Sequence, residues 1–237
     1  MAMMKGRKDK REMEDDMRKA IERIRRQAEI PKPAPKPKDP SIKLFNRWDV
    51  ASVVVSDAGL ASIMNTDPII LPKTGGKFAS TYLHKNKMNV VERFVNKMMV
   101  PGHKGKKHKY TSGRCPASSQ AIMKALYESF EVIEKKTNSN PVQVMVKAVE
   151  NAALNEEIAA YRMGGTIARQ AVTISPRRRL DMSLRHLTQW IYKMKFNKKG
   201  SLPNIMADEL IAAANNDPKS FAISERSRIE KEAEGAR

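Results

Sequence analysis

Between Glu157 and Asp208, ten cations face a single carboxylate. Arg162, Arg169, Arg177, Arg178, Arg179, Arg185, Lys193, Lys195, Lys198 and Lys199 stand there against Asp181 alone. About half of the net charge of +19 on the 237-residue chain lies in that stretch. A folded protein gathers so much like charge only where an anion relieves the repulsion. Over a long surface, the anion best able to do so is a nucleic-acid backbone. Whatever this segment folds into must therefore display its cations.

The spacing within the stretch predicts two elements. Residues 159–163 and 166–174 flank Gly164-Gly165, a pair that supplies positive φ at both central positions of a tight hairpin turn. The second arm is rich in Thr, Ile and Val, which suit strands. With the loop at Gly164-Gly165, residue 162 faces 167 and 160 faces 169. Arg162 and Arg169 then lie diagonally on one face, and Tyr161, Met163 and Gln170 on the other. A hairpin this polar cannot be a core, so it reads as a projecting basic ribbon. Ser175-Pro176 next gives an N-cap and a first-position proline. Leu180, Leu184, Leu187, Ile191 and Met194 form one apolar stripe, leaving Arg178, Arg185, Gln189 and Lys193 opposite. A solvated helix face normally mixes charges of both signs, and this one lacks acids, which favours a nucleic-acid face.

The rest of the chain reads as support. Hydrophobic residues make up 41% and aromatics 5%, so the core is aliphatic, with Met filling gaps. The charge and a pI near 10.0 point to nucleic acid first and an anionic membrane surface second. No run approaches the roughly 18 apolar residues of a membrane span, and no signal peptide precedes the charged N-terminus. The single Cys115 fits a reducing compartment. Residues 1–30 mix charges at helical spacing with few apolar positions, and the alternating prolines of 31–40 make an extended cationic linker. Val50–Val55 is a candidate short strand.

Helices are expected from Asn86 to Val100, from Pro116 to about Lys136, from Pro141 to about Leu154, and after Ser201-Leu202-Pro203, where Ile205, Leu210 and Ala213 face inward. Asn140-Pro141-Val142-Gln143 resembles a capping box. The tail beyond Lys219 is expected to be a fraying helix. Between the first two helices, residues 103–114 hold Lys104, Lys106, Lys107, Lys109 and Arg114 with no acid. Tyr110 in this flexible loop could stack on a base or ribose. The fold class is mainly α: one helical domain over 41–237, of about six helices, with a protruding β-hairpin near 157–175 and an extended N-terminal arm over 1–40.

Signals of catalysis are missing. There is no nucleophile elbow, metalloprotease pair, dinucleotide turn or CxxC. Gly76-Lys77 is no phosphate loop, because Leu71 and Phe78 occupy positions needing Gly and Ser or Thr. His103, His108 and Cys115 match no usual zinc spacing and lack a fourth ligand, so neither metal nor cofactor is expected. His84, His103 and His108 sit in basic surroundings and His186 on a helix flank; each reads as a phosphate or surface contact. The pair Glu156-Glu157 is expected to close a helix next to the ribbon and either to end the basic face or to pair locally with arginine. The chain reads as a non-enzyme.

Four segments, in order and spacing, carry a family likeness. They are Asn140–Ala152, Arg162-Met163-Gly164-Gly165, Gln170–Arg179 and Leu184-Arg185-His186-Leu187. Together they resemble the family of the seventh protein of the ribosomal small subunit, in its longer archaeal and eukaryotic form. A looser likeness runs from about Lys43 to Asn215–Ile223. The resemblance implies a cytoplasmic ribosomal protein, monomeric within the ribosome, that binds the 3′ major domain of small-subunit rRNA and starts head assembly. It also implies a hairpin near the exit-site tRNA and the mRNA path, with the ninth and eleventh small-subunit proteins as neighbours. By the same likeness Arg162, Gly164, Gly165 and Arg169 match the hairpin. Arg177, Arg178, Arg179 and Arg185 match an rRNA-facing helix start, and Lys85 and Lys87 a basic helix entry. Residues 1–40 have no counterpart in the short bacterial forms, and the loop 101–114 is longer. The competing reading is a DNA-binding or chromatin-associated helical protein, which the hairpin before the basic helix disfavours. A peripheral membrane protein would need a bulky amphipathic arm, which 1–40 does not supply.

Overall fold

Among the described residues, two four-residue helices and six of ten residues or more alternate with two small antiparallel ribbons. The order is β1 (Lys43–Leu44), β2 (Trp48–Asp49), α1 (Ala58–Ala61), α2 (His84–Lys87), α3 (Val90–Met99), α4 (Ser119–Thr137), α5 (Pro141–Asn151), β3 (Glu156–Met163), β4 (Thr166–Thr173), α6 (Pro176–Asn197), α7 (Leu202–Ala214) and α8 (Phe221–Glu234). The computed structural model describes residues 41–102, 117–197 and 200–237, all within the unit Lys38–Arg237. The expected arm over 1–40 and the basic loop with Lys104, Lys106, Lys107, Lys109, Tyr110 and Arg114 lie outside the described residues. So do His103, His108, Cys115, Lys198 and Lys199.

The mainly helical class is as expected, and the core is mostly aliphatic, with Trp48, Phe94 and Phe130 buried within it. Ile122, Leu126, Phe130 and Ile133 of α4 and Val142, Met145, Val146 and Val149 of α5 are buried against Met206, Leu210 and Ala213 of α7. Leu180, Leu184, Leu187 and Ile191 of α6 complete that core. Helix α6 packs against α1, α3, α5, α7 and α8, so most of its circumference is covered. This explains His186, expected at the surface but buried at 6% exposure.

Several element boundaries differ from the periodicity. Val50–Val55 is not a strand. The Gln143 side chain clasps Val54, accepting from its N–H at 2.9 Å and donating to its carbonyl at 3.0 Å. A side-chain amide thus supplies what a neighbouring strand would have. Gln143 is therefore unavailable for a capping box, and Asn140 alone caps α5, accepting from Val142 N–H at 3.0 Å. The expected helix from Asn86 divides, because Asn89 caps a fresh start by accepting from Val91 N–H at 2.9 Å. Ser118 caps α4 in the same way.

The tail is no fraying helix. Phe221 stacks on Trp190 with centroids 4.9 Å apart, and Arg226 donates to the Asn151 carbonyl at 2.5 Å. Ser220 occupies the N-cap of α8 but makes no capping bond with its own side chain. Buried Glu209 of α7 takes that role, accepting from Ser220 Oγ at 2.7 Å and from Ala222 N–H at 3.4 Å. Burial pushes its carboxyl up to about 7, against the opposing hydrogen bonds. The folded state then holds this proton to higher pH than the unfolded chain. The group's stabilisation is complete below the ordinary carboxylate range and is lost as pH rises through about 7. Urea unfolding between about pH 5 and about pH 8 should show stability falling by on the order of 3 kcal/mol. Glu209→Gln should flatten that slope; a variant whose curve runs parallel to the wild type would refute the assignment.

Candidate nucleic-acid interface

The hairpin register agrees with the sequence reading. Arg162 pairs with Ile167 and Ala160 with Arg169, so both arginines share one face, with Tyr161 and Gln170 on the other. Gly164 and Gly165 have φ of 53° and 96°, with open space around each. The turn needs glycine for backbone conformation, not for room. The base is pinned: Glu157 pairs with Arg178, Glu156 with Arg237 at 2.5 Å, and α8 packs on β3. The two glutamates thus open a strand instead of closing a helix, and each pairs with an arginine, Glu156 with one 81 positions away in the chain. Beyond the base, residues 160–170 are exposed wherever their side chains are described, and Met163 is the exception to that description. Strands of eight residues carry the tip roughly 27 Å out.

A second basic feature lies between α2, α3 and the start of α6. There a groove of about 840 Å3 is lined by His84 and Lys85, by Arg93, Asn96 and Lys97, and by Ser175, Arg177, Arg178, Asp181 and Arg185. Its one carboxylate is already compensated, since nearly buried Arg93 donates to Asp181 Oδ1 at 2.8 Å. Among the described residues, no carboxylate forms an ion pair with Lys85, Lys97, Arg177 or Arg185. Lys97 registers the crowding. Burial lowers its pKa below the ordinary lysine value, and the charges of Arg185 and Lys85 lower it further against the pull of Asp181. An ammonium so placed gains from any anion that enters.

The arginine triplet is divided by geometry. Arg177 is exposed and lines the groove. Arg178 also lines it, but both its Nε and Nη2 reach Glu157, at 2.5 and 2.7 Å. Arg179 turns to the protein: it pairs with Asp57 at 2.7 Å and donates to the Leu154 carbonyl at 3.0 Å. Burial pushes the Asp57 carboxyl up, but hydrogen bonds from Arg179 and Gly59 N–H outweigh it and hold the carboxyl below its ordinary value. Lys85 and Arg185 line the groove, whereas the Lys87 ammonium lies over the Phe78 ring, 6.0 Å from its centre. Further along α6, Lys193 sits over Trp190 at 5.0 Å and Lys195 donates to the Gly200 carbonyl at 3.0 Å.

Sequence reasoning missed Lys97, Arg93 and Asn96. Their signal was available. The apolar stripe of α3 leaves residues 93, 96 and 97 on a second face at helical spacing. Among the described residues, no group of His, Cys, Asp and Glu could hold a metal, and no helix is long and apolar enough to cross a membrane.

Comparison with known proteins bears on the same residues. A family profile described as ribosomal protein S7p/S5e matches residues 62–237. The chain is 40% identical over 196 residues to small ribosomal subunit protein uS7 of Nanoarchaeum equitans, spanning 83% of this chain and 99% of that one. It is 38% identical over 194 residues to the uS7 of Thermoplasma volcanium, spanning 82% and 100%. With the uS7 of Methanococcoides burtonii it shares 37% over 195 residues, spanning 82% and 99%.

Proposed function

Since the chain belongs to the ribosomal protein S7p/S5e family, we propose that it binds the 3′ major domain of small-subunit rRNA through the groove between α2, α3 and α6. It is a structural, non-catalytic protein of the small ribosomal subunit, acting in translation in the cytoplasm. We further infer that it nucleates head assembly and lies beside the ninth and eleventh small-subunit proteins as a single copy. Its hairpin, with Tyr161, Arg162, Met163, Gly164, Gly165 and Arg169, reaches toward the exit-site tRNA and the mRNA path. Residues 1–40 form a separate charged arm ahead of this rRNA-binding domain.

One observation carries the reading: four cations without a described carboxylate partner crowd one groove, where burial first, and then the charges of Arg185 and Lys85, hold Lys97 below its ordinary value. Phosphates entering the groove release counterions and relieve that repulsion. The recognition is of RNA shape, because the A-form major groove is too narrow for a helix to read. Arg178 and Arg179 contribute indirectly, by fixing the start of α6. Lys193 and Lys195 extend the basic face along that helix. Lys104, Lys106, Lys107, Lys109, Arg114, Lys198 and Lys199 add further phosphate contacts, and Lys87 flanks the groove entry.

Sedimentation with small subunits, set against retention on duplex DNA, separates this reading from a DNA-binding protein. Preference for the duplex would overturn it. Within the reading, deleting Met163 to Thr166 should leave affinity for the rRNA fragment within about twofold while impairing tRNA handling by reconstituted subunits. Collapse of rRNA binding in that variant would make the tip an anchor.

A further inference from the structure

The segment from Pro72 to Leu83 has no regular element, yet it is built. Thr74 is tied to buried Glu92 by its N–H at 2.9 Å and its hydroxyl at 2.8 Å. Successive turns follow, with Lys77 N–H to the Thr74 carbonyl, Ala79 to Gly76 and Thr81 to Phe78, at 3.2, 2.9 and 2.9 Å. Lys77 and Lys87 each hold an ammonium 6.0 Å from the centre of the Phe78 ring. From Lys73 to Val91 the sequence contains Lys73, Lys77, His84, Lys85 and Lys87 and no acid.

At the end of this segment Tyr82 stands 88% exposed, more than any other large hydrophobic side chain among the described residues. A single exposed aromatic is ordinary on a protein surface. The backbone beside this one is not. Leu83 has φ of 58° and ψ of 35°, a left-handed conformation that costs a non-glycine residue about 1 kcal/mol or more. The strained step turns Leu83 partly inward and leaves Tyr82 in solvent, at the lip of α2. The next two residues, His84 and Lys85, line the basic groove. A strand whose phosphates sit on those residues has an aromatic face waiting at its next unpaired base.

We propose that Tyr82 is a stacking platform for an unpaired nucleobase of the RNA that occupies the groove. The inference rests on the groove binding RNA. Base–aromatic stacking accepts any of the four bases, because each has a π face. The platform therefore fixes where a bulged or single-stranded nucleotide sits without selecting its identity. It adds an apolar contact, and no ion pair, to the phosphate contacts beside it.

The test uses the full chain and a fluorescently labelled rRNA fragment of the 3′ major domain containing its unpaired junction nucleotides, titrated at several salt concentrations. Tyr82→Ala should weaken binding roughly tenfold with an unchanged salt slope, since every phosphate keeps its cation. Tyr82→Phe should bind like the wild type, and Tyr82→Leu like the alanine variant. Equal affinity for Tyr82→Ala and wild type would overturn the platform. So would full rescue by leucine, which would show that apolar burial suffices. A wild-type chain that fails to bind the fragment at all would instead refute the groove reading on which the platform stands.

Discussion

Replacing Arg177 and Arg185 together by alanine should weaken binding of a 3′-domain rRNA fragment roughly a hundredfold at moderate salt. Each guanidinium lines the groove, and no described carboxylate forms an ion pair with it. On the proposed reading each substitution would take away a charge-assisted hydrogen bond to RNA, and it creates no buried orphan. The plot of log affinity against log salt should also become shallower, by about 0.7 to 0.9 for each phosphate that no longer meets a cation. Unfolding of the isolated protein should change little, because both side chains are exposed. Lys97→Ala should act in the same direction, and it would also remove the ammonium whose pKa burial, and after it Arg185 and Lys85, depress. Unchanged affinity with parallel salt slopes in the double variant would remove the groove from the interface.

Arg179→Ala should produce the opposite signature. Its guanidinium bridges Asp57, which caps α1, and the carbonyl of Leu154, just before the hairpin. Truncation takes the cation from a partly buried carboxylate, which keeps only the N–H groups of Gly59 and Leu60, and takes the side-chain donor from the Leu154 carbonyl, a loss of about 3 kcal/mol. For a domain of this size that lowers Tm by about 10 °C. Measured below that transition, the salt slope of RNA binding should match the wild type. Two arginines of one helical turn, 177 and 179, would then differ completely, one moving affinity and the other stability. Equal Tm values for the two variants would show that the bridge to Asp57 is a surface interaction of little worth.

That contrast shows where the sequence was readable. The hairpin register followed from Gly164-Gly165, because a two-residue turn fixes every pair behind it. The apolar stripe of α6 followed from its period. The division of the arginine triplet did not, because consecutive helical residues point about 100° apart and only tertiary packing says what each direction meets. Asp57 lies 122 positions away in the chain from its partner Arg179. The Val50–Val55 run failed for a related reason. Its composition favours a strand, but β pairing needs a neighbour, and the partner that Val54 meets is the amide of Gln143. The order of the tail is hidden because its burial depends on Trp190 and Asn151, partners that no local pattern encodes. Lys97 was legible in principle, since the apolar stripe of α3 leaves 93, 96 and 97 together on a second face; what that face meets, the start of α6, is a tertiary contact that no local pattern encodes.

Helix α6 is at once the middle of the packing and one wall of the groove. Charge repulsion along that wall is therefore a load on the whole fold, and an RNA that lifts it raises stability by mass action. If RNA fills the groove as proposed, a newly made copy that has not found it would open more often than one already assembled, and proteases act on the open form. Surplus chains would thus be cleared in preference to those built into a subunit. Supply of the protein would be matched to supply of the RNA with no dedicated sensor.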